Sequence, residues 1–334
     1  MQNVNICIVG CGGYAYEVMD EIRNVSGIKF SFASRDISKA KAYQNQFDGT
    51  HSFGSYEEAA CHPDIDAMYI FSPHNLHMHH STIALSNKKH VLVEKPIAKT
   101  LEDGKKMITL AKKSGVHLMV AENYKFLNTV GKSVEIIRDR DESGIGRLRT
   151  IKITSESYRE PENWRRKLDI SGGGVFIDSG IHLVNILVSL AGFPDKILAA
   201  IPPSVFNEAG GEDALNLFAI YKNGVSGTIF HSRSTNIGKP VQEIQIDGSV
   251  GRIEFNPFSN DMKVIKGNLT RTIKLKKSTR GTREMISSFR DLILHGGPNK
   301  MSGEMGLDDL SIVMSAYESA SNGTEVTPEK FTST

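Results

Sequence analysis

Two clusters in this chain set acids and bases where a proton would have to move. The first, Val93-Glu94-Lys95-Pro96, places a charged pair at the end of an apolar run, at the carboxyl edge where open α/β sheets bind ligands. The second comprises Trp164-Arg165, Gly172-Gly173-Gly174 and Asp178-Ser179-Gly180-Ile181-His182. Asp178 and His182 are four apart, so one helical turn would project both to the same face, and the glycines ahead of them allow close approach of backbone to a ligand. A histidine titrating near neutrality suits oxidation of a secondary alcohol. It accepts the hydroxyl proton while hydride leaves the carbon, and returns it in reduction. In isolation, Lys95 reads by default as a surface lysine paired with Glu94.

Hydride needs an acceptor, and the amino terminus offers a place for one. An apolar run leads into Gly10-Cys11-Gly12-Gly13-Tyr14-Ala15, a G-x-G-x-x-A fingerprint followed by a helical pattern. Gly10 permits the tight turn, Gly12 lets backbone amides approach a pyrophosphate, and Ala15 allows close helix-strand packing. The alternative is a glycine-rich turn without a ligand. Where a NAD site would place an Asp or Glu for the ribose 2′-hydroxyl, the chain reads Ala33-Ser34-Arg35-Asp36. A hydroxyl and a guanidinium at Ser34 and Arg35 suit a 2′-phosphate, which favours NADP(H) over NAD(H). Two other readings stand beside it: Arg35 stacks on adenine, or Asp36 accepts the ribose after a one-residue register shift.

The elements that must position these groups follow from hydrophobic periodicity. Val4 to Val9, Lys29 to Ala33, Ala67 to Phe71, His90 to Val93 and His117 to Val120 are expected strands. Helices are expected over Tyr16 to Arg23, Ser38 to Phe47, Ser55 to Ala60, Met78 to Ser86 and Leu101 to Ser114. Such alternation announces a doubly wound parallel sheet. A new domain begins near Asn123, with a helix from Thr129 to Arg138 and a strand from Leu148 to Glu156. Ala214 to Tyr221 and Val225 to His231 flank Asn223-Gly224, and Val241 to Ile246 and Val250 to Phe255 flank Asp247-Gly248, pairs that supply the positive φ of tight hairpins. Helices from Arg283 to Leu294 and Leu307 to Ala320 close the chain. The expectation is therefore an α/β protein. A Rossmann domain over 1–122 precedes an α+β domain over 123–334 with an open, mostly antiparallel sheet, and Thr324 to Thr334 forms a frayed tail.

With 334 residues, 39% apolar and 23% charged, and 40 Lys+Arg against 38 Asp+Glu, composition excludes collagen, coiled coil and disorder. A formal charge of +2 argues against nucleic acid as a partner. No uninterrupted apolar run approaches the ~18 residues of a bilayer span, so no membrane association and a cytoplasmic location are expected. Cys7, Cys11 and Cys61 form no C-x-x-C pattern and read as buried thiols. The histidines of His74-Asn75-Leu76-His77-Met78-His79-His80 lack a carboxylate at ligand spacing, so no metal is assigned. The cations from Lys263 to Arg283 alternate with apolar residues, as on an exposed edge strand.

Together the motifs resemble those of the glucose-fructose oxidoreductase, inositol dehydrogenase and rhizopine catabolism (Gfo/Idh/MocA) family. The carriers are Gly10 to Ala15, S-P-H-N-L-H at Ser72 to His77, E-K-P at Glu94 to Pro96, A-E-N-Y-K-F at Ala121 to Phe126, G-I-G-R at Gly144 to Arg147, and G-G-G-x-x-x-D-S-G-I-H at Gly172 to His182. The resemblance implies a NAD(P)-dependent oxidoreductase with a sugar or polyol substrate between its domains, and a homodimer or homotetramer built on the C-terminal sheet. It implies that Lys95 lies beside the nicotinamide and the reacting oxygen, that His182 is the acid/base, and that Asp178 binds substrate and orients His182. It further implies a cis peptide before Pro96. Cofactor contacts would come from Gly10, Gly12, Gly13, Tyr14, Ala15, Ser34, Arg35, Ser72, Pro73, His77, Glu94, Lys95 and Asn123. Tyr124, Trp164 and Arg165 would join Lys95, Asp178 and His182 at the substrate. One departure is Asn185, where many members carry an Asp three residues after the histidine. An NAD-dependent inositol or sugar 3-dehydrogenase of the same family, and a dinucleotide-binding sensor without chemistry, are the competing readings.

Overall fold

The computed structural model describes residues 3–139, 144–206, 210–276 and 280–333. The chain divides into two compact units, Met1–Asn123 with Thr282–Leu307, and Tyr124–Gly281 with Asp308–Thr334. The division 1–122 and 123–334 expected from the linear sequence does not include that return of Thr282–Leu307 to unit one. An amphipathic helix is free to pack on whichever surface its apolar stripe fits, and hydrophobic pattern alone does not say which.

Unit one is built from β1 (Val4–Val9), α1 (Gly13–Ile22), β2 (Ile28–Ala33), α2 (Ile37–Phe47), β3 (Ser52–Phe53), α3 (Tyr56–Cys61), β4 (Ala67–Ile70), α4 (His77–Ser86), β5 (His90–Glu94), α5 (Leu101–Ser114) and β6 (Leu118–Ala121). The strands form one parallel sheet in the order β3-β2-β1-β4-β5-β6. β1 and β4 are buried at every residue, as strands covered by helices on both faces must be. Ends are capped by side chains: Asp36, Ser55 and Thr100 each accept a backbone N–H in the first turn of α2, α3 and α5. The short β3 was not anticipated; two residues are too few for a period to show.

Unit two begins with α6 (Asn128–Arg138) and β7 (Leu148–Glu156), followed by α7 (Leu168–Ser171), α8 (Ile181–Ala191), β8 (Lys196–Ala200), β9 (Ala214–Ile220), β10 (Ser226–Ser232), β11 (Val241–Gly248), β12 (Arg252–Phe255), β13 (Asp261–Lys266) and β14 (Leu269–Lys274). Its sheet runs β14-β13-β12-β11-β7-β10-β9-β8. All neighbours are antiparallel except β7 and β10. α9 (Thr282–His295) packs on α1 and β1, and α10 (Gly303–Asn322) contributes to both units. Gly224 has the expected positive φ of 83°. Gly248 does not: β11 runs on through it, and glycine is needed because a Cβ there would lie 2.1 Å from Ile145 O. β14 is the exposed edge expected of the Lys263 to Arg283 segment, of which 277–279 lie outside the described residues.

Two further expectations are corrected. The tail is anchored: Val326 pairs with Ile197, and Asp308 accepts the N–H groups of Phe331 and Thr332 and the Thr332 hydroxyl. Cys7 is buried, but Cys11 is half-buried and Cys61 exposed, because Cys11 stands in the turn after β1 and Cys61 at the last turn of α3. The helical stretch Leu168–Ala191 has an 18-residue window apolar enough by composition to cross a bilayer, and 67% of that window is buried.

Asn185, the departure from the family pattern, points inward from α8. It is 2% exposed and donates from Nδ2 to Asp309 Oδ2 of α10 at 2.7 Å. Hydrogen bonds to a buried charge contribute about 1.5–3 kcal/mol. Asn185→Ala is therefore expected to lower unfolding stability by that amount, read as a shifted urea midpoint at constant slope.

Candidate active site

In unit one the carboxyl ends of β1, β2, β4 and β5 carry the residues singled out above. Gly10 follows β1 with φ +100°, a conformation that side chains avoid. Gly12 caps α1 without a side chain, and a Cβ built at Gly12 or Gly13 meets no atom within 4 Å. The Tyr43 hydroxyl donates to Gly12 O at 2.7 Å and holds the turn. Ala15 is buried where α1 packs on the sheet, and Tyr14 meets Phe71 edge-on. Helix-start N–H groups facing open space are an anion site.

At the end of β2, Ser34 is buried and its Oγ accepts the Asp36 N–H. Asp36 turns its carboxylate onto Ser38, accepting from N at 3.0 Å and Oγ at 2.6 Å, which holds it below the usual carboxylate range. Arg35 is exposed and lies near enough to Tyr56 to act on its hydroxyl, and the Tyr56 ring meets His80 edge-on at 4.5 Å.

After β4, the Ser72 hydroxyl is buried with no hydrogen-bond partner among the described residues. Such an orphan costs about 1–3 kcal/mol unless a ligand satisfies it. His77 lies against two carbonyls, Nδ1 2.8 Å from Pro96 O and Nε2 2.8 Å from Ser72 O. This ties the segment after β4 to the Lys95-Pro96 segment, whose peptide is cis. Burial pushes the His77 imidazole down to about 4, against the pull of these carbonyls. With both nitrogens so engaged, His77 has none left for a metal ion. Glu94, 6% exposed, accepts from the Tyr69 hydroxyl at 2.7 Å. Burial pushes its carboxyl up to about 7, although Lys95 acts in the opposite direction. Asn123 is buried just beyond β6.

In unit two, Asp178 lies within a single π-helical turn, Phe176–Gly180, that feeds α8, not within the regular α-turn that a spacing of four suggests. π-turns recur at functional sites. Sequence reasoning missed the group that holds this one. Glu212 accepts from Gly174 N at 2.8 Å, Phe176 N at 2.7 Å and the Tyr317 hydroxyl at 2.8 Å, and that hydroxyl in turn accepts from Ile177 N. A Cβ at Gly174 would lie 2.0 Å from Glu212 O, so the third glycine of the G-G-G run is obligatory. Nothing in the spacing of Glu212 or Tyr317 points to this role.

The turn presents Asp178 to Arg165, whose Nε lies 3.1 Å from Oδ2, and the Arg165 guanidinium sits 4.6 Å over the Trp164 ring. His182 is 8% exposed and stacks on Tyr124 at 4.1 Å and 10°. Ser179 donates to Val175 O at 3.1 Å, so its oxygen accepts from His231 Nε2 at 2.7 Å and Arg233 Nε at 3.3 Å. Burial, with Arg233 alongside, pushes His231 down to about 3. His231 and Arg233 also went unnoticed, since one sits near the end of β10 and the other just beyond it, with no motif.

A glycine turn into an uncapped helix, an orphaned hydroxyl after β4 and a buried acid followed by a half-buried lysine after β5, all at the carboxyl ends of a parallel sheet, are the arrangement of a dinucleotide-dependent oxidoreductase. Residues 4–122 match the family model described as "Oxidoreductase family, NAD-binding Rossmann fold" and residues 137–254 that of the "GFO/IDH/MocA C-terminal domain". The chain belongs to the GFO/IDH/MocA family of oxidoreductases. It is 29% identical over 252 residues to the 1,5-anhydro-D-fructose reductase of Ensifer adhaerens, covering 73% of this chain and 74% of that protein. It is 25% identical to the D-xylose 1-dehydrogenase (NADP(+)) 2 of Haloferax volcanii, covering 89% and 90%. The same fold is seen in the aldose-aldose oxidoreductase of Caulobacter crescentus complexed with glycerol (TM-score 0.88, 23% identity, 98% and 100% covered). It recurs in levoglucosan dehydrogenase in complex with NADH and L-sorbose (TM-score 0.89, 21% identity, 99% and 100% covered).

The Glu94 environment has a measurable consequence. Unfolded, the carboxyl loses its proton near 4.5; folded, it keeps it up to about 7. The folded state therefore binds the extra proton between these values, and this contribution to stability is lost as pH rises through the window. His77 acts oppositely there, so the difference between proteins is the readout. The stability of Glu94→Gln relative to wild type is expected to rise on going from pH 5 to 7.5, measured by urea unfolding of both proteins at both values.

Proposed function

We propose that the protein is an NADP(H)-preferring oxidoreductase of the cytoplasm that interconverts a secondary alcohol and a ketone on a cyclic sugar, sugar derivative or inositol. The cofactor preference rests on the engagement of Asp36. Its carboxylate caps α2 through Ser38, so the end of β2 offers Ser34 and an exposed Arg35 in place of a free acid. A guanidinium suits a 2′-phosphate, whereas an acid there would repel it. Gly10, Gly12, Gly13, Tyr14 and Ala15 would hold the pyrophosphate side. Ser72, Pro73, His77, Glu94, Lys95 and Asn123 would line the nicotinamide side.

When bound, the nicotinamide supplies the hydride acceptor or donor. The chain supplies the proton chemistry. Lys95 hydrogen-bonds the reacting oxygen, and His182 takes the hydroxyl proton in oxidation and returns it in reduction. Stacking on Tyr124 keeps the imidazole in one plane. Asp178 binds a sugar hydroxyl and orients His182, with Arg165 fixing the carboxylate and Trp164 backing Arg165. A second copy of the chain would cover the open sheet, where Leu198 of β8 and Phe218 of β9 are paired in register and exposed at 42% and 39%.

Lys95→Ala and His182→Ala are each expected to reduce turnover ~10²–10⁴-fold while nucleotide affinity is retained. Normal turnover in either contradicts the assignment. Arg35→Ala is expected to weaken NADPH about 10-fold or more, the loss of one charge-assisted hydrogen bond, and to leave NADH nearly unchanged, as read by quenching of intrinsic fluorescence. Equal losses for both nucleotides would instead support stacking of Arg35 on adenine.

A further inference from the structure

A cavity of about 380 Å³ opens in unit two beside the catalytic helix, lined among others by Tyr124, Ser179, Arg159, Arg233, Lys239 and Glu156. Its size is at the small end of ligand sites, suited to one sugar ring. Its charge is one-sided, with three cations against a single carboxylate. His231 adds none, because burial keeps it neutral well below physiological pH. Burial lowers the proton affinity of Arg233, Asp178 opposes this, and Arg159 and Arg165 add to it.

The cations are held together by the backbone. The Arg159 N–H donates to Arg233 O at 2.8 Å, and Tyr158 bridges Ser234. Asp213 fixes the far side, accepting from the Ser204 and Ser234 hydroxyls and from Val205 N and Phe206 N, while its own carbonyl accepts the Arg233 N–H. Neither Arg159 nor Arg233 forms an ion pair among the described residues. Arg233 reaches only the Ser179 hydroxyl, and the nearby Asp178 is bound to Arg165. Neighbouring guanidiniums without an ion-pair partner of their own repel, and Asp178 offsets this only in part because it is bound to Arg165. An anion between them removes that cost.

We infer that the substrate carries an oxyanion group, a carboxylate or a phosphate on a monosaccharide, seated between Arg159 and Arg233 and assisted by Lys239. This deepens the proposed function by naming the substrate class at that site. Tyr124, which shares the cavity wall, stacks on His182, so the anionic group would be held one ring's breadth from the proposed acid/base.

The test is calorimetric titration of the NADPH-loaded protein with D-glucuronate, D-galacturonate, D-glucose 6-phosphate and the parent hexoses, at low and high salt. Expected is at least 10-fold tighter binding of one acid than of its neutral parent, weakened by salt. A uronate preferred over the phosphate identifies a carboxylate; the reverse identifies a phosphate. In Arg159→Gln, an exposed position where folding is not at risk, the acid-to-neutral ratio should collapse about 10-fold, and Arg159→Lys should restore part of it. Equal affinity for acid and parent in every pair, or no binding of any, overturns the inference. Failure of NADPH or NADH to quench the intrinsic fluorescence would be a separate failure, that of the oxidoreductase reading.

Discussion

The carboxylate of Glu212 is the fixed point around which the turn carrying Asp178 and the start of α8 are arranged. It is half-buried, desolvation raises its proton affinity, and it accepts from two backbone amides and a tyrosine hydroxyl. Those amides belong to the run Gly174 to Phe176, immediately before the π-turn that carries Asp178 and Ser179. Only glycine at 174 lets the turn approach Glu212 closely enough to form these bonds. From that anchor the remaining geometry follows. Asp178 meets Arg165, Ser179 gathers His231 and Arg233, and one turn later His182 lies flat on Tyr124. A residue with no place in any motif thus sets the orientation of several that have one.

Unit one solves a different problem with the same economy of buried polar groups. Its strands are apolar on both faces, so every charged or hydroxyl-bearing group at their carboxyl ends must find a partner or a ligand. Glu94 finds Tyr69, His77 lies between two carbonyls, and Asp36 caps a helix. Ser72 has no protein partner among the described residues, and a Cβ at Gly12 or Gly13 meets open space. These unmet groups lie where a dinucleotide would complete the structure.

Much of this was legible in the amino-acid sequence, for identifiable reasons. β1, α5 and β7 fall at their expected bounds because continuous burial, a capped amphipathic face and strict alternation are each strong local signals. The clusters around Lys95 and His182 stood out because their residue types cost energy in those places unless used. Less visible were features set by contacts distant in sequence. Glu212 lies 38 residues from Gly174 and Tyr317 lies 105 from Glu212. The π-turn replaced an α-turn because of those bonds. The tail was anchored by Asp308, and Gly248 was required by a backbone approach from Ile145 and not by a turn. Arg159 and Arg233, 74 positions apart in number, gain meaning only once Tyr158 and Ser234 are seen to pair.

The central claim, hydride transfer between a nicotinamide and a sugar carbon, is tested most directly by isotope. The protein would be incubated with NADPH deuterated at the transferable C4 position and a panel of neutral and acidic keto-sugars, and the products analysed by mass spectrometry. The account predicts one deuterium at the new carbinol carbon of at least one product, lost when Lys95 or His182 is replaced by alanine. No deuterated alcohol with NADPH or with NADH, from a protein that binds either nucleotide, would contradict it.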